Sequence, residues 1–199
     1  FLNQRFHLLN PNDEKYVAEI EKSIYNNLIA NQVGSSGIRY HSVLVDHKDV
    51  NSRQPFAMST CCEGQGTRMM GALPEFIYSL TNNGVYVDLF TPSSVKFNTA
   101  TGKVSLKMET DFPYDPKVML TINTEKPAEC SIMIRIPSWA AKEMAVLVNS
   151  KKKATGEPGT YVKLSQKWND GDQISFVLPM EFRLTEYAGE EKFPDRERY

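Results

Sequence analysis

The run with the greatest chemical potential is Ser59-Thr60-Cys61-Cys62-Glu63-Gly64-Gln65-Gly66-Thr67-Arg68. Thr60 and Glu63 have the S/T-x-x-E spacing of a capping box, which predicts a helix start with both thiols in its first turn. Unpaired backbone N–H groups and the positive end of the helix dipole favour a thiolate there, the form of cysteine that attacks electrophiles and binds metals. Gly64 and Gly66 remove side chains beside the thiols and would let a substrate or another segment approach closely. Arg68 adds positive charge one to two turns along. The same residues also suit two buried apolar cysteines at a helix start, and a vicinal disulfide in a strained ring is a third reading.

A zinc ion takes four N, S or O ligands, or three and an open position. Cys61 and Cys62 offer two, and the remaining candidates are Cys130, His7, His41 and His47, none at a tight ligand spacing. Cys130 shares a strand face with Ile132, Ile134 and Ile136 and reads as core. His41 and His47 lie in the loop that leads to the cysteines. The paired carboxylates of an ordinary glycosidase are not evident, since Glu63 is engaged in capping and spacing singles out no other acid. Trp139 and Trp168 sit at strand ends, where they either stack on sugars or pack between sheets, and packing is the expected role.

The elements that would position these groups fall into two regions. Tyr16, Val17, Ile20, Ile24, Tyr25, Leu28 and Ile29 recur at three- and four-residue spacing after Pro11-Asn12-Asp13, which predicts an amphipathic helix over 13–31. Residues 33–56 read as a long loop with a brief strand near Tyr40 to Val45, and long loops in compact domains often carry function. A second helix opens near Cys61 with Met69, Leu73, Phe76, Ile77 and Leu80 as its stripe, and Pro74 should kink or restart it. After Asn82-Asn83-Gly84 the apolar period becomes two. Val85 to Leu89, Val104 to Met108, Val118 to Ile122, Cys130 to Ile136, Ala145 to Val148, Tyr161 to Leu164 and Ile174 to Leu178 alternate, and so many short strands between turns predict an antiparallel sandwich. Lys151-Lys152-Lys153 beside a turn reads as a solvated hairpin tip.

Composition narrows the classes. The 199 residues are 41% hydrophobic, enough for a core, and allow one domain or two. Twenty-three basic residues nearly cancel 24 acidic ones, which argues against a binder that tracks nucleic-acid phosphates. No apolar run approaches the roughly 20 residues of a membrane span. Three cysteines are too few for a disulfide framework. Phe1 is not an initiator methionine, so the sequence is expected to start inside a longer polypeptide.

The stretches Asp13-Glu14-Lys15-Tyr16-Val17-Ala18-Glu19-Ile20-Glu21, Cys61-Cys62, Leu73-Pro74-Glu75-Phe76, Gly84-Val85-Tyr86-Val87-Asp88-Leu89-Phe90, Lys126-Pro127-Ala128-Glu129, Arg135-Ile136-Pro137-Ser138-Trp139, Trp168-Asn169-Asp170-Gly171-Asp172 and Leu178-Pro179-Met180 together resemble the β-L-arabinofuranosidases of glycoside hydrolase families 127 and 146. The Cys-Cys-Glu-Gly-Gln-Gly-Thr-Arg form looks closer to family 146. The resemblance covers nearly the whole chain. It implies the last helices of an (α/α)6 barrel in residues 1–82 and a truncated β-sandwich in 83–199, an α+β fragment of two domains. It further implies retaining hydrolysis of plant-type arabinose glycans by a zinc-bound cysteine, with Cys61 matching the nucleophile, Cys61 and Cys62 zinc ligands, and Tyr40 and, more distantly, His41 touching the sugar. The family's acid/base glutamate and its other zinc ligands, a Glu and a Cys, lie upstream of the segment that Phe1 begins. The isolated chain is therefore expected to be inactive and to bind zinc weakly or not at all. A periplasmic or secreted parent is implied, a cytoplasmic one and a homo-oligomer stay open, and the competing reading is a non-catalytic sandwich module for carbohydrate binding or interdomain packing.

Overall fold

The computed structural model describes residues 1–32, 38, 61–184 and 186. Helix α1 spans Leu2–Leu9 and α2 spans Lys15–Ser23, and the chain continues without a break as a π-helix over Ile24–Ile29. The helix expected over 13–31 is thus present, but its second half is widened. Val17, Ile20, Ile24 and Leu28 are its buried stripe. Helix α3 spans Cys61–Ala72 and tightens into a 3-10 turn over Leu73–Phe76, with Pro74 in the first turn of that new segment, where its missing N–H costs nothing. The stripe that carried the helix on to Leu80 is corrected. Tyr78–Thr81 form strand β1, which pairs antiparallel with β2 (Gly84–Val87), and Leu80 is exposed.

Eight further strands follow: β3 Ser93–Thr99, β4 Gly102–Thr110, β5 Lys117–Thr124, β6 Ala128–Ile136, β7 Met144–Val148, β8 Lys151–Gly156, β9 Thr160–Trp168 and β10 Gln173–Val177. They form two sheets, one in the order β1-β2-β6-β9 and the other β3-β4-β5-β10-β7-β8. Alternating apolar residues from both sheets, including Leu106, Leu120, Ile132, Ile134, Trp168 and Ile174, meet between them as the core. The sandwich is antiparallel except at one pair. The chain leaves β2, builds β3 to β5 in the other sheet, and returns as β6 running parallel to β2. Gly84 permits this contact, because a Cβ there would stand 2.1 Å from the Ser131 carbonyl oxygen.

The β7–β8 hairpin turns on Asn149 and Ser150, both at positive φ (49° and 64°), the conformation that suits two-residue hairpins. Lys151, Lys152 and Lys153 follow it as an exposed row on an edge strand. Such a row discourages edge-to-edge pairing.

The helices lie on the outer face of the four-stranded sheet. This explains why β2 is buried at all four positions and β6 at every position from Ile132 on. Even-numbered β6 residues enter the sandwich core, and odd-numbered Met133 and Arg135 point the other way.

Candidate functional site

Cys61 is the first residue of α3 and is exposed. Cys62 follows in the same helix. Tyr40, His41, His47 and Thr60 lie outside the described residues, as do the side chains of Cys62 and Glu63. Of the two glycines flanking the thiols, Gly64 has nothing within 4 Å of where a Cβ would be. At Gly66 a Cβ would stand 2.7 Å from Ile38 Cγ2, so the Ile38 side chain seats against α3 just where the helix lacks one. Gln32 and Ile38 form an antiparallel bridge. Arg68 turns its guanidinium over the Phe1 ring, 4.5 Å from the centroid, with a 3.4 Å hydrogen bond to Gln65 Oε1.

Cys130 is core. It is 2% exposed in β6, and burial pushes its thiol up to about 11. Trp168 is fully buried in the sandwich, donating Nε1–H to the Cys130 carbonyl at 3.2 Å. Among the described residues no group of three or more His, Cys, Asp or Glu side chains could hold a metal ion. The described residues do not make up a complete zinc site.

The densest polar cluster was not singled out by motif. Arg135, fully buried on the outer face of β6, donates Nε–H to Glu14 Oε1 at 2.7 Å and pairs through Nη2 with Glu14 Oε1 at 2.6 Å and Glu21 Oε2 at 3.0 Å. Its Nη1 reaches the Asp88 carbonyl at 3.1 Å. Burial alone would lower the Arg135 pKa, but the Glu21 and Glu14 carboxylates outweigh it and raise it, so the guanidinium stays charged. Trp139 Nε1–H donates to Glu21 Oε2 at 2.7 Å and the Ser138 N–H to Glu14 Oε1 at 3.3 Å. Asp88, also buried, accepts from Tyr161 OH at 2.7 Å and Ser79 Oγ at 2.6 Å, and lies 3.2 Å from His7 Nε2. Burial and the adjacent Asp88 charge push the Tyr161 hydroxyl strongly up, so it remains a donor. His7 Nδ1 is buried without a hydrogen-bond partner in the structure.

A sequence signal for this cluster existed. Glu14, Val17, Glu21, Ile24 and Leu28 share one face of a helix, so two acids stand on an apolar stripe, and Arg135 interrupts the apolar run from Ile132 to Ile136. Charges in such positions require a partner.

The family model described as "Beta-L-arabinofuranosidase, GH127 middle domain" matches residues 84–180. No curated protein matches the sequence. Among solved structures, a chain titled "Glycoside hydrolase" is 24% identical, covers 90% of this chain and superimposes with a TM-score of 0.78. A GH127 beta-L-arabinofuranosidase from Geobacillus stearothermophilus T6 is 23% identical over 90%, also with a TM-score of 0.78. A GH127 beta-arabinofuranosidase is 25% identical over 88%, with a TM-score of 0.77. This chain spans 30 to 31% of the length of those structures. The sandwich and its attached helices are therefore a known arrangement within larger chains.

Proposed function

We propose, taking residues 84–180 as a GH127 middle domain by their match, that this chain is part of a glycoside hydrolase acting on β-L-arabinofuranosides through a cysteine nucleophile. In this reading the helices up to Phe76 are the last helices of an (α/α)6 barrel, and the sandwich, which already includes β1 at Tyr78–Thr81, packs against them. The observation that carries the reading is the placement of Cys61 as the exposed first residue of α3, in a chain whose sandwich matches that family.

The chemistry follows from a thiol at a helix start. Cys61 Sγ, as thiolate, attacks the anomeric carbon. The C–S bond forms as the bond to the leaving oxygen breaks, and that oxygen takes a proton from a carboxylic acid. Water then displaces sulfur, giving its proton to the same carboxylate and returning the thiolate, so the anomeric configuration is retained. The resemblance places the acid/base carboxylate upstream of Phe1. It also assigns Cys61 and Cys62 as two of the thiolates around a zinc ion that would keep the nucleophile ionised. Tyr40 and His41 are assigned to sugar contact.

In the longer protein that contains this chain, Cys61→Ala should lower turnover of an aryl β-L-arabinofuranoside by at least about a thousandfold. Cys62→Ala should lose zinc on metal analysis, and the 199-residue chain by itself should not hydrolyse the substrate. Retained turnover in Cys61→Ala would sink the nucleophile assignment.

The runner-up function of the sandwich, interdomain packing, draws support from the Arg135 cluster, which commits the outer face of the four-stranded sheet to the helices. The two readings are compatible within one protein.

A further inference from the structure

We infer that Arg135 is a positioning residue, which by gripping α2 at two points sets where the helix that begins at Cys61 sits on the sandwich. The inference deepens the reading of Cys61 as nucleophile and rests on it for its catalytic meaning. Its structural content stands apart from that reading.

A single contact between a helix and a sheet leaves the helix able to pivot. Arg135 makes two, to Glu14 and Glu21, which are seven residues apart and therefore about 10.5 Å apart along the axis on one face. Its third donor is tied to the backbone carbonyl of Asp88 on the sheet, so the guanidinium itself has no freedom to follow a moving helix. Trp139 Nε1–H donates to the same Glu21 oxygen that Arg135 grips. Both the translation and the rotation of α2 are thereby defined from the sandwich.

From α2 the constraint passes to α3 by packing. Ile20 and Ile24 form one buried cluster with Ala72 and Phe76, at the far end of α3 and its 3-10 extension, with Met69, Leu73 and Leu89 around it. Eleven residue steps separate Ala72 from Cys61, about 16.5 Å of helix, so a 10° tilt at the packed end moves the Cys61 end by roughly 3 Å. Misplacement of a reacting group by about 1 Å costs on the order of a hundredfold in rate. An apolar patch could stabilise the same interface as well as a buried charge cluster does. What a planar guanidinium with paired carboxylates adds is a defined geometry.

Hydrogen exchange of the 199-residue chain, resolved by mass spectrometry, tests this with Arg135→Met and Arg135→Lys. In Arg135→Met the amides of α2 and of α3 are expected to exchange about tenfold faster or more, while β5 and β10 of the far sheet stay within about twofold of the parent. Arg135→Lys keeps the charge but not the fork and should recover part of the protection. Equal acceleration in β5 and β10 would show a loss of general stability and overturn the positioning role. Accelerated α2 with α3 unchanged would overturn the transmission to Cys61. Should Arg135→Met not fold, Glu21→Gln weakens one grip at constant shape, and the same pattern in smaller amplitude is expected. Unchanged α3 in that variant likewise overturns the inference. If the longer protein keeps its turnover as Cys61→Ala, the nucleophile assignment fails while the exchange pattern is untouched, so the two failures are distinguishable.

Discussion

Replacing Arg135 by Met, with both glutamates left in place, should destabilise the protein because of what remains rather than what is removed. Glu14 is 2% exposed and Glu21 6%. After the substitution Glu14 retains a single 3.3 Å bond from the Ser138 N–H, and Glu21 keeps the Trp139 indole donor. Two carboxylates then share a site without a counter-charge. Breaking a buried pair in this way costs about 3–5 kcal/mol, which for a chain of this size is a fall in Tm of roughly 6–20 °C. Neutralising the carboxylates in the same background, as Arg135→Met with Glu14→Gln and Glu21→Gln, should recover about 1–3 kcal/mol, since an amide oxygen still accepts from Trp139 and Ser138 while carrying no charge. Urea unfolding at pH 7 reads both the loss and the recovery. A cost below about 1 kcal/mol for Arg135→Met, or a triple variant less stable than the single one, would refute the reasoning that uncompensated buried charge dominates.

Gly84→Ala drives a Cβ to 2.1 Å from the Ser131 carbonyl oxygen, a backbone atom that cannot swing away, so the parallel β2–β6 pair must separate. A loss of about 2 kcal/mol or more is expected in thermal unfolding, and an unchanged Tm would show that the two strands are not that close. Raising pH should also destabilise the fold. Burial pushes the Cys130 thiol up to about 11, and Tyr161 is raised for the same reason with Asp88 adding to it. The folded state therefore keeps protons that the unfolded state gives up. The stability they represent is intact below about pH 9 and is lost as pH climbs through 11, at up to ~1.4 kcal/mol per pH unit for each group. A urea midpoint that stays constant from pH 8.5 to 10.5 would contradict this, and Cys130→Ala should flatten part of the slope.

Much of the fold was legible in local patterns. The stripe from Val17 to Leu28, the restart at Pro74 and the alternation in β4, β5, β6 and β10 all appear where spacing put them. Three strands were not read: β1, β3 and β8, whose Lys151-Lys152-Lys153 reads as a hairpin tip although the turn itself falls one residue earlier, on Asn149 and Ser150. In β1, Ile77 and Leu80 continue the three- and four-residue spacing of the preceding helix, so periodicity favours helix until the pairing of Tyr78–Thr81 with β2 overrides it. In β3, Ser-Ser-Val-Lys-Phe-Asn-Thr has two apolar residues, and its hydrogen bonds to β4 hold the strand. The π-helical widening after Ser23 had no local signal.

The candidate site divides in the same way. Cys61 at a helix start and Cys130 in the core are short-range facts, signalled by the Thr60–Glu63 spacing and by a two-residue period, and each is readable within about ten residues of chain. That Arg135 joins Glu14 and Glu21 is not readable that way, because the partners lie 121 and 114 residues away. Periodicity says which face of an element is buried and that a charge on that face requires a counter-charge. Which charge meets it depends on the order in which strands join a sheet and on which helix covers it, and that order emerges only when the whole chain packs.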